Sequence, residues 1–386
     1  MKVHAEPMNK KLWTPWFKIG VFFIAVGAVI AIYRFIFGIG AVSNLSDSSP
    51  WGLWIAFDVV IGIALAAGGF TTAALVYIFN KGKYSPLVRP AVLTAMLGYG
   101  LAGMSIVLDV GRWWQIYNPL LPENWQGNSA MFEVALCVMI YLAILIIEFI
   151  PVLTEKWRKN ETGFLKKISD FIEPLLNKIV IFFIILGVVV STLHQSSLGS
   201  LMLLAKYKLH PLWFTPWLPL MFLISAIAVG FPVVVVESNI SSRSFKLKSE
   251  NHLFKGLLKF TPWVLGLYLI LRLWDIIYYG KISLLFSTMG LLYIIELSLF
   301  AIIPLILLNL KSYKNNPGKM MNISMLIIAG LMLNRLNTYL IAFKTRPGWG
   351  AYFPSVGEIL ISAMLVSILF VGYKVLANYF PVLSKD

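Results

Sequence analysis

The chain has 386 residues, of which 59% are hydrophobic and 13% charged, and its formal net charge is +15. That apolar excess excludes an ordinary soluble domain, and cations scattered between apolar runs exclude a nucleic-acid binder. One cysteine, Cys137, and four histidines leave neither a disulfide framework nor a thiolate cluster for zinc or iron–sulfur.

About 20 apolar residues cross a bilayer as a helix. On that measure ten spans follow in order: 18–40, 53–79, 88–113, 129–153, 174–194, 212–237, 256–278, 285–308, 320–342 and 357–380. The expected fold is an all-α integral membrane protein, one polytopic domain over 1–386. The first run, Gly20–Gly40, is too long for a signal-peptide core and lacks a small-residue cleavage site, so it is expected to stay as a span. Helices two to five (53–194) and six to nine (212–342) each begin on the same side. They are expected to form two four-helix bundles with helices one and ten flanking them. The seam between the bundles is expected in the long basic connection 155–174.

Lysine and arginine set the orientation. Lys2, Lys10, Lys11 and Lys18 precede the first span, and Lys81, Lys83 and Arg89 follow the second. Lys156, Arg158, Lys159, Lys166 and Lys167 follow the fourth; Arg243, Lys246, Lys248 and Lys255 the sixth; Lys311, Lys314 and Lys319 the eighth. The alternate loops hold few: Lys206, Lys208, Lys281, Lys344 and Arg346. The positive-inside rule then predicts that both termini are cytoplasmic. Tryptophan gathers at the other end (Trp51, Trp54, Trp113, Trp114, Trp125, Trp213, Trp217), as an interfacial belt would. Small residues on helices two and three (Gly62, Ala66, Gly69, Ala73; Ala95, Gly98, Ala102) read as a close-packing stripe rather than a ligand groove.

Topology turns sequence position into depth. Asp58, Asp109, Arg112, Glu133, His194 and Arg34 come from five consecutive helices and are expected at the same outer level. Each such charge costs roughly 2.5–3.5 kcal/mol in lipid, so together they predict a buried polar site. Asp109 and Arg112, three residues apart, are expected to pair on one helical face. Glu148 and Glu237 form a second layer near the inner helix ends, with Tyr99 between the layers. A carboxylate–tyrosine–carboxylate ladder suits proton relay, because each member donates and accepts. In the second half Arg272, Asp275, Glu296, Arg335, Asn334, Asn337 and Glu358 read mainly as inter-helix pairing. No phosphate loop, metal-ligand spacing or nucleophile elbow is present. Of the four histidines, His4 and His252 lie in cytoplasmic segments and His194 and His210 flank one outer loop; these last two leave one pair open as haem ligands, while the usual two-haem stack is excluded.

Several stretches carry a family signature: Pro50–Phe70 (PWGLWIAFDVVIGIALAAGGF), Tyr84–Ala91 (YSPLVRPA), Gly103–Arg112 (GMSIVLDVGR) and Asn128–Cys137 (NSAMFEVALC). They resemble the NrfD/polysulfide-reductase superfamily of membrane subunits. His194–Met202, Lys208–Trp213 and Ala351–Ser362 are more similar to the HybB-type membrane subunit of respiratory nickel–iron hydrogenases. The resemblance spans nearly the whole chain, apart from Ser241–Lys255. It implies a bacterial inner-membrane subunit that exchanges electrons with a quinone, menaquinone foremost, and binds no haem, flavin or iron–sulfur cluster itself. Its implied partners are an extracytoplasmic, ferredoxin-like iron–sulfur subunit and the large and small nickel–iron hydrogenase subunits. By the same resemblance Asp109, Arg112, Glu133 and His194 map to the quinone region, and Tyr99 and Glu237 to positions that carry protons inward. Depth adds Asp58 to the quinone set and Glu148 to the relay, with Glu133 as the acid nearest the quinone. Quinol oxidation in a related reductase is the alternative within the superfamily. A secondary transporter is the alternative outside it, and it would want broken helices near the midplane; Pro232 is the one candidate kink. A scaffold that only anchors its partners is the third reading.

Overall fold

The computed structural model describes residues 5–158, 163–344 and 352–384. Lys2, His4, Lys159, Arg346 and Ala351 lie outside the described residues, as does the 159–162 part of the basic connection.

Among the described residues ten helices are long and apolar enough to cross a membrane. They are α1 (Pro15–Phe37), α2 (Trp54–Ile78), α3 (Gly82–Asp109), α4 (Ala130–Arg158) and α5 (Phe164–Leu203). The rest are α6 (Leu218–Phe245), α7 (Asn251–Tyr278), α8 (Thr288–Asn309), α9 (Pro317–Ile341) and α10 (Val356–Tyr379). The protein is thus an all-α integral membrane protein. The bundle has a tryptophan-rich end, where α2, α4, α6, α8 and α10 begin, and a lysine-rich end opposite.

Several helix limits differ from expectation. α3 stops at Asp109 rather than running to residue 113, because Val110 turns extended (φ −72°, ψ 121°) and Gly111 follows. α5 passes His194 and continues to Leu203. The polar run that resembled a helix end is only partly satisfied inside the bundle: Gln195 donates to the Ile63 carbonyl at 2.9 Å, while both ring nitrogens of His194 have no protein partner. At its other end α5 starts at Phe164, ten residues earlier than Pro174 suggested. α6 extends eight residues beyond Glu237, its serines bonding back one turn, as Ser242 does to Ser238 at 2.7 Å.

α2 and α6 form the centre, with 78% and 72% of their apolar windows buried against 17% for α1 and 22% for α10. α2 packs on α3 and α6, α4 on α5, and α9 on α6 and α8, while α1 lies against α10. The small-residue stripe does what its spacing predicts. A Cβ at Gly69 would lie 2.5 Å from that of Ala95, so the α2 and α3 backbones approach as closely as glycine allows. Four stretches have wide π-type turns: Trp54–Ile61, Ala74–Ile78, Ser298–Ile302 and Asn337–Ile341. The first contains Asp58, the third follows Glu296, and the fourth begins at Asn337. Three of the four irregular turns therefore coincide with intramembrane polar residues.

Candidate functional site

Asp58 is the first polar group on the central helix. It is 8% exposed, and Ser362 of α10 donates its hydroxyl to Oδ2 at 2.5 Å. It lines a cavity of about 410 Å³ between α2, α3, α6, α9 and α10. Ile61, Leu65, Leu101, Val233, Met332 and Phe370 give that cavity apolar walls. At its far, lysine-rich end stands Glu237. Thr94 donates to Glu237 Oε1 at 2.8 Å, and Ser241 donates to the Tyr373 hydroxyl at 3.0 Å. Tyr373 in turn hydrogen-bonds Glu237. Two of the expected site carboxylates, one from each layer, thus share a single cavity.

A second polar string lies inside α3, α4 and α5. Tyr99 is fully buried, with its hydroxyl 3.4 Å from Ser191 Oγ. Its ring meets Tyr141 edge-on at 4.5 Å and His194 at 5.5 Å. His194 is fully buried as well, and neither ring nitrogen has a protein partner. An imidazole left so costs a few kcal/mol unless a guest or water meets it. Two turns further along α4, Glu148 lies over Gly187 of α5, where a Cβ would sit 3.1 Å from its Oε1 and 3.3 Å from the Tyr141 ring. His194, Tyr99, Tyr141 and Glu148 therefore follow one another down these helices. The expected single ladder through Tyr99 to both inner carboxylates is two separate strings. Glu148 ends one and Glu237 the other.

The remaining expected residues stand nearer the tryptophan-rich surface. Arg112 is exposed beyond the end of α3, so the expected i, i+3 pairing with Asp109 lacks the helix it requires. Arg34 takes that place instead. Its guanidinium donates to the carbonyls of Leu108 (2.7 Å) and Val110 (2.6 Å), capping α3, and it is the cation that faces Asp109. Asp109 Oδ1 is buried without a partner. Glu133 is exposed in the first turn of α4 and accepts a hydrogen bond from Ser197 at 2.6 Å, after Ser129 caps that helix. Burial, expected of all of them, holds for Asp58, His194 and Arg34 but not for Arg112 or Glu133. The difference comes from helix ends: each lies where the chain leaves the bundle.

In the second half, Glu296 accepts from Trp213 (2.7 Å), Asn334 (2.6 Å) and Asn337 (2.7 Å), joining α6's leading loop, α8 and α9. Arg335 reaches Asn334 and Ser225, both at 2.7 Å. This is the inter-helix pairing that the sequence suggested. Asp275 differs in its partner: Lys281, returning from the following loop, takes it at 2.6 Å, while Arg272 turns to the Tyr268 hydroxyl at 3.0 Å. Glu358 caps α10 within a Ser355 capping box and accepts from Tyr352 and from the Asn44 amide. Sequence reasoning missed Tyr141, Thr94, Tyr373 and Ser362. The i+7 spacing of Tyr141 and Glu148 on one helix face was the available signal for the first.

Residues 41–343 match the family described as polysulphide reductase, NrfD. The chain belongs to that family. Over 93% of its length it is 37% identical to a probable Ni/Fe-hydrogenase 2 b-type cytochrome subunit of Escherichia coli (strain K12), covering 90% of that relative. The integral membrane subunit of menaquinone reductase from Nitratidesulfovibrio vulgaris is 27% identical across 90% of this chain and 87% of its own. A selenate reductase subunit of Mesobacillus selenatarsenatis is 25% identical over about half of each chain, 54% and 52%.

The first of these names corrects one expectation. Against a chain that binds no haem, a relative alike over nearly its whole length is called a b-type cytochrome subunit. Among the described residues His194 is the fully buried histidine with both nitrogens free, which offers one axial ligand. A second such histidine is absent from that set, since His210 lies in the loop before α6 and His252 is exposed in the first turn of α7, so it does not fit a haem held by two histidines.

Proposed function

We propose that this chain is the membrane subunit of a bacterial respiratory oxidoreductase that exchanges electrons and protons with a quinone. The observation that carries the proposal is the apolar cavity with Asp58 and Ser362 near one end and Glu237, Thr94 and Tyr373 near the other. Apolar walls suit a quinone ring and its isoprenoid tail, and the few polar groups suit its two carbonyl oxygens. Reduction to quinol takes two electrons and two protons. Ser241, Tyr373 and Glu237 form a donor-to-acceptor series pointing from the lysine-rich end to the cavity, so it can refill a proton given up there. The Tyr99–Tyr141–Glu148 string, headed by His194, is a second carrier within the same bundle.

The positive-inside rule supports a cytoplasmic lysine-rich end, with both termini on that side. Electrons then arrive at the tryptophan-rich face, where Asp109, Arg112 and Glu133 lie within reach of a docked partner. An iron–sulfur, ferredoxin-like subunit fits that place. The 37% relative supports nickel–iron hydrogenase subunits behind it, and the menaquinone reductase relative supports menaquinone as the acceptor. The reverse use, quinol oxidation for a terminal reductase, has the selenate reductase relative in its favour.

Val366→Trp adds bulk to the cavity from α10 and replaces none of its polar groups. In the purified complex it should cut hydrogen-to-menaquinone turnover at least tenfold and leave dye reduction by the partner subunits unchanged. Unchanged quinone turnover in that variant would remove the cavity from the reaction.

A further inference from the structure

A second, larger cleft, which shares no lining residue with this cavity, lies at the lysine-rich end between α7, α8 and the short segments beside them. It measures about 1060 Å³. Four lysines from three separate parts of the chain stand on it: Lys83 in the first turn of α3, Lys255 and Lys259 at the start of α7, and Lys314 between α8 and α9. His252 joins them. None of the four lysines forms an ion pair with a carboxylate among the described residues. Lys255 donates to Asn315 at 2.8 Å and Lys83 lies 5.0 Å from the Tyr84 ring centroid, contacts that hold the chains without neutralising them. Glu250, 3.7 Å from His252, is the acid paired at this rim.

Below the cations the cleft becomes apolar and opens sideways along the helices. Trp263, Leu267 and Ile270 of α7 are 74%, 48% and 64% exposed, and Leu305 and Leu308 of α8 form the facing wall. Its floor is built rather than accidental. Tyr84 is 4% exposed and packs onto Gly256, where a Cβ would fall 2.1 Å from its hydroxyl. Glycine at 256 is what lets the first turn of α3 seat against α7 and close the cleft from behind. The basic stretch 241–255 carried no family signature, yet half of these cations come from it and the turn that follows.

We propose that this cleft binds an anionic phospholipid, phosphate among the lysines and acyl chains along Trp263, Leu267 and Ile270. A phosphate met by several ammonium groups above a lipid-facing apolar groove is the chemistry of such a headgroup site. A free phosphate would use the cations and leave the groove empty; a zwitterionic lipid would use the groove and leave the cations unmatched. The lipid is a structural ligand that holds α7 and α8 to the start of α3.

The test uses the full chain in its complex, stripped of lipid in detergent and titrated with phosphatidylglycerol, cardiolipin, phosphatidylcholine or inorganic phosphate. Native mass spectrometry counts retained lipid and a thermal melt reads the stabilisation. Anionic lipids should bind and raise Tm, and phosphatidylcholine and phosphate should not. In Lys255→Gln/Lys259→Gln/Lys314→Gln, affinity should fall on the order of a hundredfold, as about 1 kcal/mol per surface lysine implies. The matching triple arginine variant should keep it, and quinone turnover of the glutamine variant at saturating lipid should match wild type. Equal binding of phosphatidylcholine, equal stabilisation by phosphate alone, or undiminished anionic-lipid affinity in the glutamine variant would each overturn the proposal.

Discussion

Replacing Glu237 by glutamine separates proton transfer from packing. The side chain faces the cavity and accepts one hydrogen bond from Thr94 at 2.8 Å and another from Tyr373. Glutamine keeps an oxygen for Thr94, and its amide can donate to Tyr373 once that hydroxyl turns towards Ser241. Two rearranged hydrogen bonds change stability by about 1 kcal/mol, so assembly should be normal. What is lost is a group that cycles a proton, and positioned acids and bases contribute about 10²–10⁴-fold. Hydrogen-driven reduction of a soluble menaquinone analogue should therefore fall at least a hundredfold. Reduction of a hydrophilic dye by the partner subunits should stay at the wild-type rate. Both rates are read on one preparation, which controls for yield. Wild-type quinone turnover in Glu237→Gln would refute the relay through α6.

Glu148 belongs to the other string, so Glu148→Gln should slow quinone turnover by less than about fivefold, a small fraction of what a positioned acid can contribute; a hundredfold loss would make that string the main path. Lys281→Met leaves Asp275 buried without its 2.6 Å partner and should destabilise the chain by about 3–5 kcal/mol, read as a fall in Tm. Gly69→Ala forces a Cβ to within 2.5 Å of Ala95 and should cost about 1–3 kcal/mol through separation of α2 and α3. Burial, aided by Lys344, lowers the proton affinity of His210 in the loop before α6. The unfolded loop then binds the proton first, so docking of residues 205–215 should weaken as pH falls through the usual histidine range; hydrogen exchange at pH 8 and pH 5 checks this.

The ten spans were legible because membrane length and hydropathy are properties of single segments. Their alternating lysine content was equally local. Depth was harder. Asp109 and Arg112 share a helical face only if the helix continues, and Gly111 with extended Val110 ends it first. His194 and Gln195 looked like a helix end because polar residues usually mark one; here Gln195 spends its amide on the α2 backbone across the bundle. Partners hundreds of residues apart, such as Ser362 with Asp58 or Tyr373 with Glu237, leave no trace in spacing. They depend on α10 lying against α2 and α6, and helix order alone does not say so. Asp58 and Glu237 could be nominated from sequence as buried acids, but their shared cavity belongs to the tertiary packing.

The pairing of α1 with α10 also bears on how the protein is made. α1 leaves most of its surface without protein contact, and Gly27 accepts Met364 of α10 so closely that a Cβ would lie 2.3 Å from it. Beside them, the amides of Met8 and Asn9 donate to the carbonyls of Ala377 and Asn378. Of the ten spans α1 leaves the ribosome first and α10 last, so the earliest helix waits in the bilayer through the synthesis of eight others before its mate arrives. Ser362, on that last helix, also completes the hydrogen bond to Asp58. A nascent chain interrupted before α10 therefore lacks both the latch on its first helix and one wall of its cavity, and membrane proteases have an unpaired α1 by which to tell it from the finished product.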